Sequence, residues 1–252
     1  DYGYAPNSYS GSDIMTFEHL GSHRSGIPEY ATTENLINAN GTDWMFGGNF
    51  TVPRDIDLGW KNETLDFIPG TKYCYSNTNC EVVGEIVKKI TGESVQKHIK
   101  EEFPGLRIDN GKTPIASWPQ TPAYLNWPYP VTLPGVSGTL IGTPAALFSA
   151  FDVVINSTEF LTTMTNWHDT TPECTGMGNG VAGGDKYGFF MQQYSACQIY
   201  GGPSVGHDGD IIVRSLLISH PSGNLFLYHC TDHIDNAELM RRTSILVADY
   251  LN

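Results

Sequence analysis

The strongest constraint on this chain is a change of hydrophobic period along its length: helical spacing dominates before Tyr187, and period two with short apolar runs dominates after it. Val82, Val83, Ile86, Val87 and Ile90 fall on one helical face, and Gly92 offers a left-handed stop. Val95, Ile99 and Phe103, four apart, predict a second helix over 94–103 that ends at Pro104-Gly105. Thr143 before Pro144 is a cap followed by a first-turn proline, with Leu147, Phe148, Phe151 and Val154 as the buried face. A short helix is expected over 16–21, then a turn at Ser25-Gly26-Ile27-Pro28. Later, the runs 211–219 and 225–230 flank Pro221-Ser222-Gly223-Asn224, which is a hairpin signal. Residues 236–251 return to helical spacing behind Asp235 or Asn236. Helices first, strands later and a closing helix argue for α+β: a single domain over 1–252, with a helix and loop lobe over 1–175 and sheet strands plus the last helix over 176–252.

Charge narrows the partners. Fourteen Lys and Arg against 27 Asp and Glu give a formal charge of −13 and a pI near 4.8, so a phosphate backbone is repelled and nucleic acid is excluded as a partner. The most apolar stretch, 145–155, is interrupted by Ser149 and Asp152 and is far short of the roughly 20 residues that span a bilayer. The chain begins at Asp1 with no initiator Met and no signal-peptide pattern, from which an upstream segment is expected. The five cysteines, Cys74, Cys80, Cys174, Cys197 and Cys230, form no Cys-x-x-Cys pair, and their odd number leaves one for a free thiol or an interchain bond in an oxidising compartment. Sequons at Asn40, Asn49, Asn62 and Asn156 add to the expectation of a secreted, disulfide-containing glycoprotein.

Three segments carry chemistry. The first is His19-Leu20-Gly21-Ser22-His23-Arg24-Ser25-Gly26-Ile27-Pro28, the second Pro69-Gly70-Thr71-Lys72-Tyr73-Cys74-Tyr75-Ser76-Asn77, and the third Gly206-His207-Asp208-Gly209. In order and composition they resemble the His-Leu-Leu-Thr-His-Thr-Ser-Gly-Leu-Pro, Pro-Gly-x-x-x-x-Tyr-Ser-Asn and Lys-Thr-Gly or His-x-Gly segments of the serine β-lactamase-like family. That family includes class C β-lactamases, penicillin-binding D-alanyl-D-alanine carboxypeptidases and related esterases. Residues 135–144 and Tyr187-Gly188-Phe189 match further segments, so the resemblance runs from about Ile14 to the end. It implies a β-lactamase/transpeptidase-like fold, a helical lobe with an antiparallel sheet flanked by helices, and no cofactor.

Acyl transfer needs a serine hydroxyl made nucleophilic by a nearby base and preset donors for the tetrahedral oxyanion. By the resemblance, Tyr75 is the proton shuttle, Asn77 holds the substrate's amide oxygen, and His207 supplies a polarising or proton-relay group. Gly209 then leads to Asp210, whose backbone N–H is one half of the oxyanion hole. The family's nucleophile lies in a Ser-x-x-Lys helix upstream of the first segment. The Ser-x-x-Lys of this chain, Ser94-Val95-Gln96-Lys97, lies after Asn77 at a helix start, where its serine is an N-cap and its lysine sits on a solvated face.

Two expectations follow for the nucleophile: a second chain from a cut precursor supplies it, with the unpaired cysteine available as a tether, or the chain is a silent binding or structural subunit of a secreted assembly. Strands 211–230 without neighbours would leave a wet apolar edge, which favours the companion chain. Asp208 and Asp210 beside His207 disfavour anionic substrates and point to small esters, amides or neutral peptides. No metal site is expected: the spacing of His229, Cys230 and His233 does not converge on a strand end. Trp118 and Trp127 in the proline-rich 104–135 loop could line a cleft.

Overall fold

A computed structural model describes residues 14–29, 65–108, 135–138, 140–170, 186–194, 204–211, 213–219 and 226–231. The chain divides into two units, one over 1–151 with 173–178 and one over 152–172 with 179–252. The expected closing helix over 236–251 and most of the 104–135 loop, with Trp118 and Trp127, lie outside the described residues.

In the first unit, α1 (Phe17–Gly21) starts from a capping box in which the Thr16 side chain accepts from the His19 backbone while the His19 side chain accepts from the Thr16 N–H. Helix α2 (Asn77–Thr91) is the longest among the described residues, and Gly92 ends it at φ 77°, as the sequence predicts. Helix α3 (Val95–Glu102) follows, with Ser94 as its N-cap. The apolar face of α2 closes on α1 and the turn after it: Leu20, Ile27, Val82 and Ile86 form the buried cluster, flanked by Met15, Leu65 and Val83. Burial of each such side chain is worth about 2 kcal/mol.

Two short strands, β1 (Leu106–Ile108) and β2 (Leu140–Gly142), pair antiparallel around Arg107↔Ile141. The proline-rich stretch expected as loop from 104 therefore opens with a strand. A 3₁₀ turn (Gly135–Ser137) precedes β2. Helix α4 (Pro144–Asn156) begins where predicted, the Thr143 hydroxyl accepting from the Ala146 N–H at 3.2 Å. Phe151 is its buried residue, while Leu147, Phe148 and Val154 are half-buried.

The second unit holds α5 (Thr158–Met164) and a six-stranded antiparallel sheet in simple meander order: β3 (His168–Asp169), β4 (Lys186–Tyr187), β5 (Gln192–Tyr194), β6 (Ser204–Ile211), β7 (Val213–Ser219) and β8 (Phe226–Thr231). The predicted hairpin is β7–β8, with Ser219 opposite Phe226. Its first strand was expected to begin at Ile211, but Ile211 pairs with Val213, so that residue ends β6 and the chain reverses between the two. The apolar run Ile211-Ile212-Val213 hides this reversal, and Asp210 and Arg214 are partners in the register beside it.

Candidate active site

The first unit holds Tyr75 and Asn77 in a turn that leads into α2, and the structure shows why that turn has one conformation. Segment 23–29 lies along 65–76: Cys74 N–H donates to the His23 carbonyl at 2.8 Å, Gly70 N–H to the Arg24 carbonyl at 2.8 Å, and the Arg24 guanidinium to the Gly70 carbonyl at 2.6 Å. Gly26, at φ 79°, leaves no room for a side chain, because a Cβ there would stand 2.3 Å from the Phe67 carbonyl oxygen. The Pro28 carbonyl accepts from two hydroxyls of the α2 start, Ser76 at 3.2 Å and Thr78 at 2.7 Å.

Ser76 is the N-cap of α2 by backbone conformation, yet its hydroxyl makes no cap bond. Glu29 serves instead, its Oε2 accepting from the Asn77 backbone N–H and from Asn77 Nδ2, the latter at 3.2 Å. A carboxylate on the first amide of a helix is favourable with the helix dipole. Glu29 thus fixes the Asn77 side chain through one of its two amide hydrogens. Sequence reasoning missed Glu29; an acidic residue directly after Ser-Gly-Ile-Pro was the available signal.

Beneath the turn lies His23, fully buried and at φ 53°. Its Nδ1 accepts from the Ser76 backbone N–H at 3.1 Å and lies 3.2 Å from Asn79 Nδ2. The Asn79 Oδ1 accepts from the Ser25 hydroxyl at 2.6 Å, and Ser25 Oγ accepts from the Ile27 N–H at 3.0 Å. The Tyr75 ring, half-buried, packs on the His23 ring with centroids 4.2 Å apart and planes 31° apart.

The next residues of α2 carry two perturbed groups. Burial pushes the Cys80 thiol, which is free, well above its ordinary range, with Glu81 and Glu29 adding to the effect. Burial also pushes the Glu81 carboxyl up to about 7, against the Ser137 N–H that it accepts at 3.1 Å. Cys74, in the same turn, is disulfide-bonded.

In the second unit, His207 lies in β6, where β5 pairs with 204–206 only; among the described residues, 207–211 have a ladder partner on the β7 side alone. Gly209 and Asp210 follow in the same strand, and Asp208 and Asp210 alternate with His207 along it. The His207 Nε2 is 2.6 Å from the hydroxyl of Tyr187, and the two rings meet edge to face at 5.9 Å. Tyr187 is fully buried. It is followed by Gly188, whose Cβ would fall 1.9 Å from the Met164 carbonyl oxygen, so only glycine fits there. The sequence singled out Tyr187-Gly188 as a match; the structure adds what the tyrosine does.

Ser94 and Lys97 stand apart from both clusters in function. The Ser94 side chain accepts from the Lys97 N–H at 3.3 Å, and the exposed Lys97 ammonium pairs with Glu93 and Glu101. This is a helix cap with a solvated lysine, as the sequence predicts. Among the sequons, Asn156 is exposed at the last residue of α4 with its amide on Asp152, while Asn40, Asn49 and Asn62 lie outside the described residues. Among the described residues no cluster of His, Cys, Asp or Glu could hold a metal ion, and no helix is long and apolar enough to cross a membrane.

Solved structures share this fold. A D-stereospecific amidohydrolase from Streptomyces sp. superposes at TM-score 0.72 with 20% identity, covering 91% of this chain and 71% of its own. The D-amino acid amidase of Ochrobactrum anthropi SV3 gives 0.73 at 16% identity, covering 97% and 74%. A β-lactamase/D-alanine carboxypeptidase from Yersinia pestis gives 0.70 at 14%, covering 99% and 75%. At these identities the likeness establishes a β-lactamase/transpeptidase-like fold, helices with antiparallel sheet. The sequence profile of the Beta-lactamase family matches residues 3–231, nearly the whole chain, and the protein belongs to that family of serine hydrolases and their relatives.

Proposed function

We propose that this chain is the larger part of a secreted, β-lactamase-like serine hydrolase that acts by acyl transfer on a small ester or neutral amide, with the nucleophilic serine on a companion segment outside residues 1–252. The observation that carries this is the turn at Tyr75-Ser76-Asn77, held from below by His23 and from the side by Glu29, which presents a phenol and an amide in fixed positions. In the reaction, the serine Oγ attacks the substrate carbonyl while Tyr75 takes its proton and hands it to the leaving group. Asn77 has a second Nδ2 hydrogen for the substrate's amide oxygen, and the backbone N–H of Asp210 is one oxyanion donor. His207, held at Nε2 by Tyr187, polarises or relays a proton from its other edge. Water then hydrolyses the acyl-enzyme.

Acidic groups beside the proposed substrate contacts, Glu29 at Asn77 and Asp208 and Asp210 at His207, support a neutral substrate rather than an anionic one. The cap role of Ser94 supports a nucleophile from elsewhere. The disulfide at Cys74 supports an oxidising compartment. A fluorophosphonate or penicillin probe applied to the natural protein tests this: a companion chain or upstream segment carrying Ser-x-x-Lys is labelled, and Tyr75→Phe abolishes turnover of a short-chain ester. No label on any chain would make the protein a silent binding or structural subunit instead.

A further inference from the structure

The imidazole beneath Tyr75 takes no part in the steps above, yet two contacts at its Nδ1 fix its protonation and its face meets the Tyr75 ring. A backbone N–H has no choice but to donate, so the bond from Ser76 requires a bare His23 Nδ1. The Asn79 contact agrees: its Oδ1 accepts from the Ser25 hydroxyl, which places its Nδ2 hydrogens toward His23. With Nδ1 accepting from both, the ring proton sits on Nε2. The ring face supports the Tyr75 phenol at 4.2 Å.

We infer that His23 is the positioning residue of Tyr75, its bare Nδ1 fixing the backbone of the 75–77 turn and its ring face fixing the phenol. The catalytic meaning of this rests on the acyl-transfer reading above; the geometry does not. The left-handed backbone at φ 53° is one that asparagine also adopts with little strain.

Two substitutions separate the halves of the device. His23→Asn keeps an acceptor where Nδ1 stands and removes the ring. His23→Phe keeps a ring and leaves the Ser76 N–H and the Asn79 amide without an acceptor. In nitrogen-resolved NMR of the unaltered protein, His23 shows an unprotonated Nδ1 and a protonated Nε2. In His23→Asn the Ser76 and Asn77 amide signals stay in place while the Tyr75 ring signals move; with the companion present, kcat on a short-chain ester falls about 100-fold with KM within about twofold, since a small misplacement of the reacting group has that effect. In His23→Phe the Ser76 amide moves as well.

A protonated Nδ1, or Tyr75 ring signals unchanged in His23→Asn, would overturn the inference. If His23→Phe does not fold, the tautomer and the asparagine variant decide alone. The expected tautomer and Tyr75 shift in a protein without esterase turnover would uphold the lock and count against the hydrolase.

Discussion

Replacing Glu81 with glutamine isolates the electrostatic cost of a buried carboxyl in the first unit. Glu81 is 3% exposed, in the first turns of α2, and hydrogen bonds from the Ser137 backbone and hydroxyl and from the Val136 backbone do not offset the loss of water around an ionised carboxylate. Its ionisation is raised from an ordinary 4.5 to about 7 by burial, with Glu85 adding to it. Between those two pH values the folded protein holds a proton that the unfolded chain has released, so this group's share of stability is fully present below 4.5, falls as pH rises and is gone above 7. At about 1.4 kcal/mol per pH unit, the interval amounts to about 3 kcal/mol. Glutamine keeps an acceptor for Ser137 and carries no charge. Urea unfolding of both proteins from pH 4 to 8.5 should therefore show Glu81→Gln gaining on the unaltered chain as pH rises, by up to about 3 kcal/mol at pH 8. Parallel stability curves across that interval would refute the reasoning.

Two further outcomes bear on the sites. Ser94→Ala should cost about 1 kcal/mol through loss of the α3 cap, and neither it nor Lys97→Ala should alter ester turnover in the assembled protein; loss of turnover would make Ser94 more than a cap. Tyr187→Phe removes the hydroxyl 2.6 Å from His207 Nε2, and should lower stability by about 1 kcal/mol and shift the His207 ring-nitrogen signals, whereas unchanged signals would show that the contact does not hold the imidazole.

The parts of the fold legible in sequence are those set by local chemistry. Helices α2, α3 and α4 carry their own stripe, cap and stop within a few residues of one another, so Gly92, Ser94 and Thr143-Pro144 mark real boundaries. Strands β1 and β2 are three residues each and are defined by pairing with one another, which no local pattern encodes. The reversal after Ile211 falls inside a β-branched run whose composition says strand throughout. The expected roles of Tyr75, Asn77 and His207 come from motif order, but the position of His23 beneath Tyr75 is not legible in it. Its partners Ser76 and Asn79 stand 53 and 56 residues away, and a histidine's role depends on which of its two nitrogens is engaged. Glu29 escaped for the same reason: a carboxylate that caps a helix 48 residues downstream looks, in sequence, like any surface acid.

The central proposal, that Tyr75, Asn77 and His207 serve one reacting centre, is tested most directly by a crystal structure of the natural protein after reaction with a fluorophosphonate ester. The account predicts a phosphonylated serine from outside residues 1–252, with the Tyr75 hydroxyl and the His207 imidazole each within hydrogen-bond reach, directly or through one water, of the adduct's oxygens. An adduct that neither side chain approaches, or the two side chains on separate faces of the molecule, would contradict it.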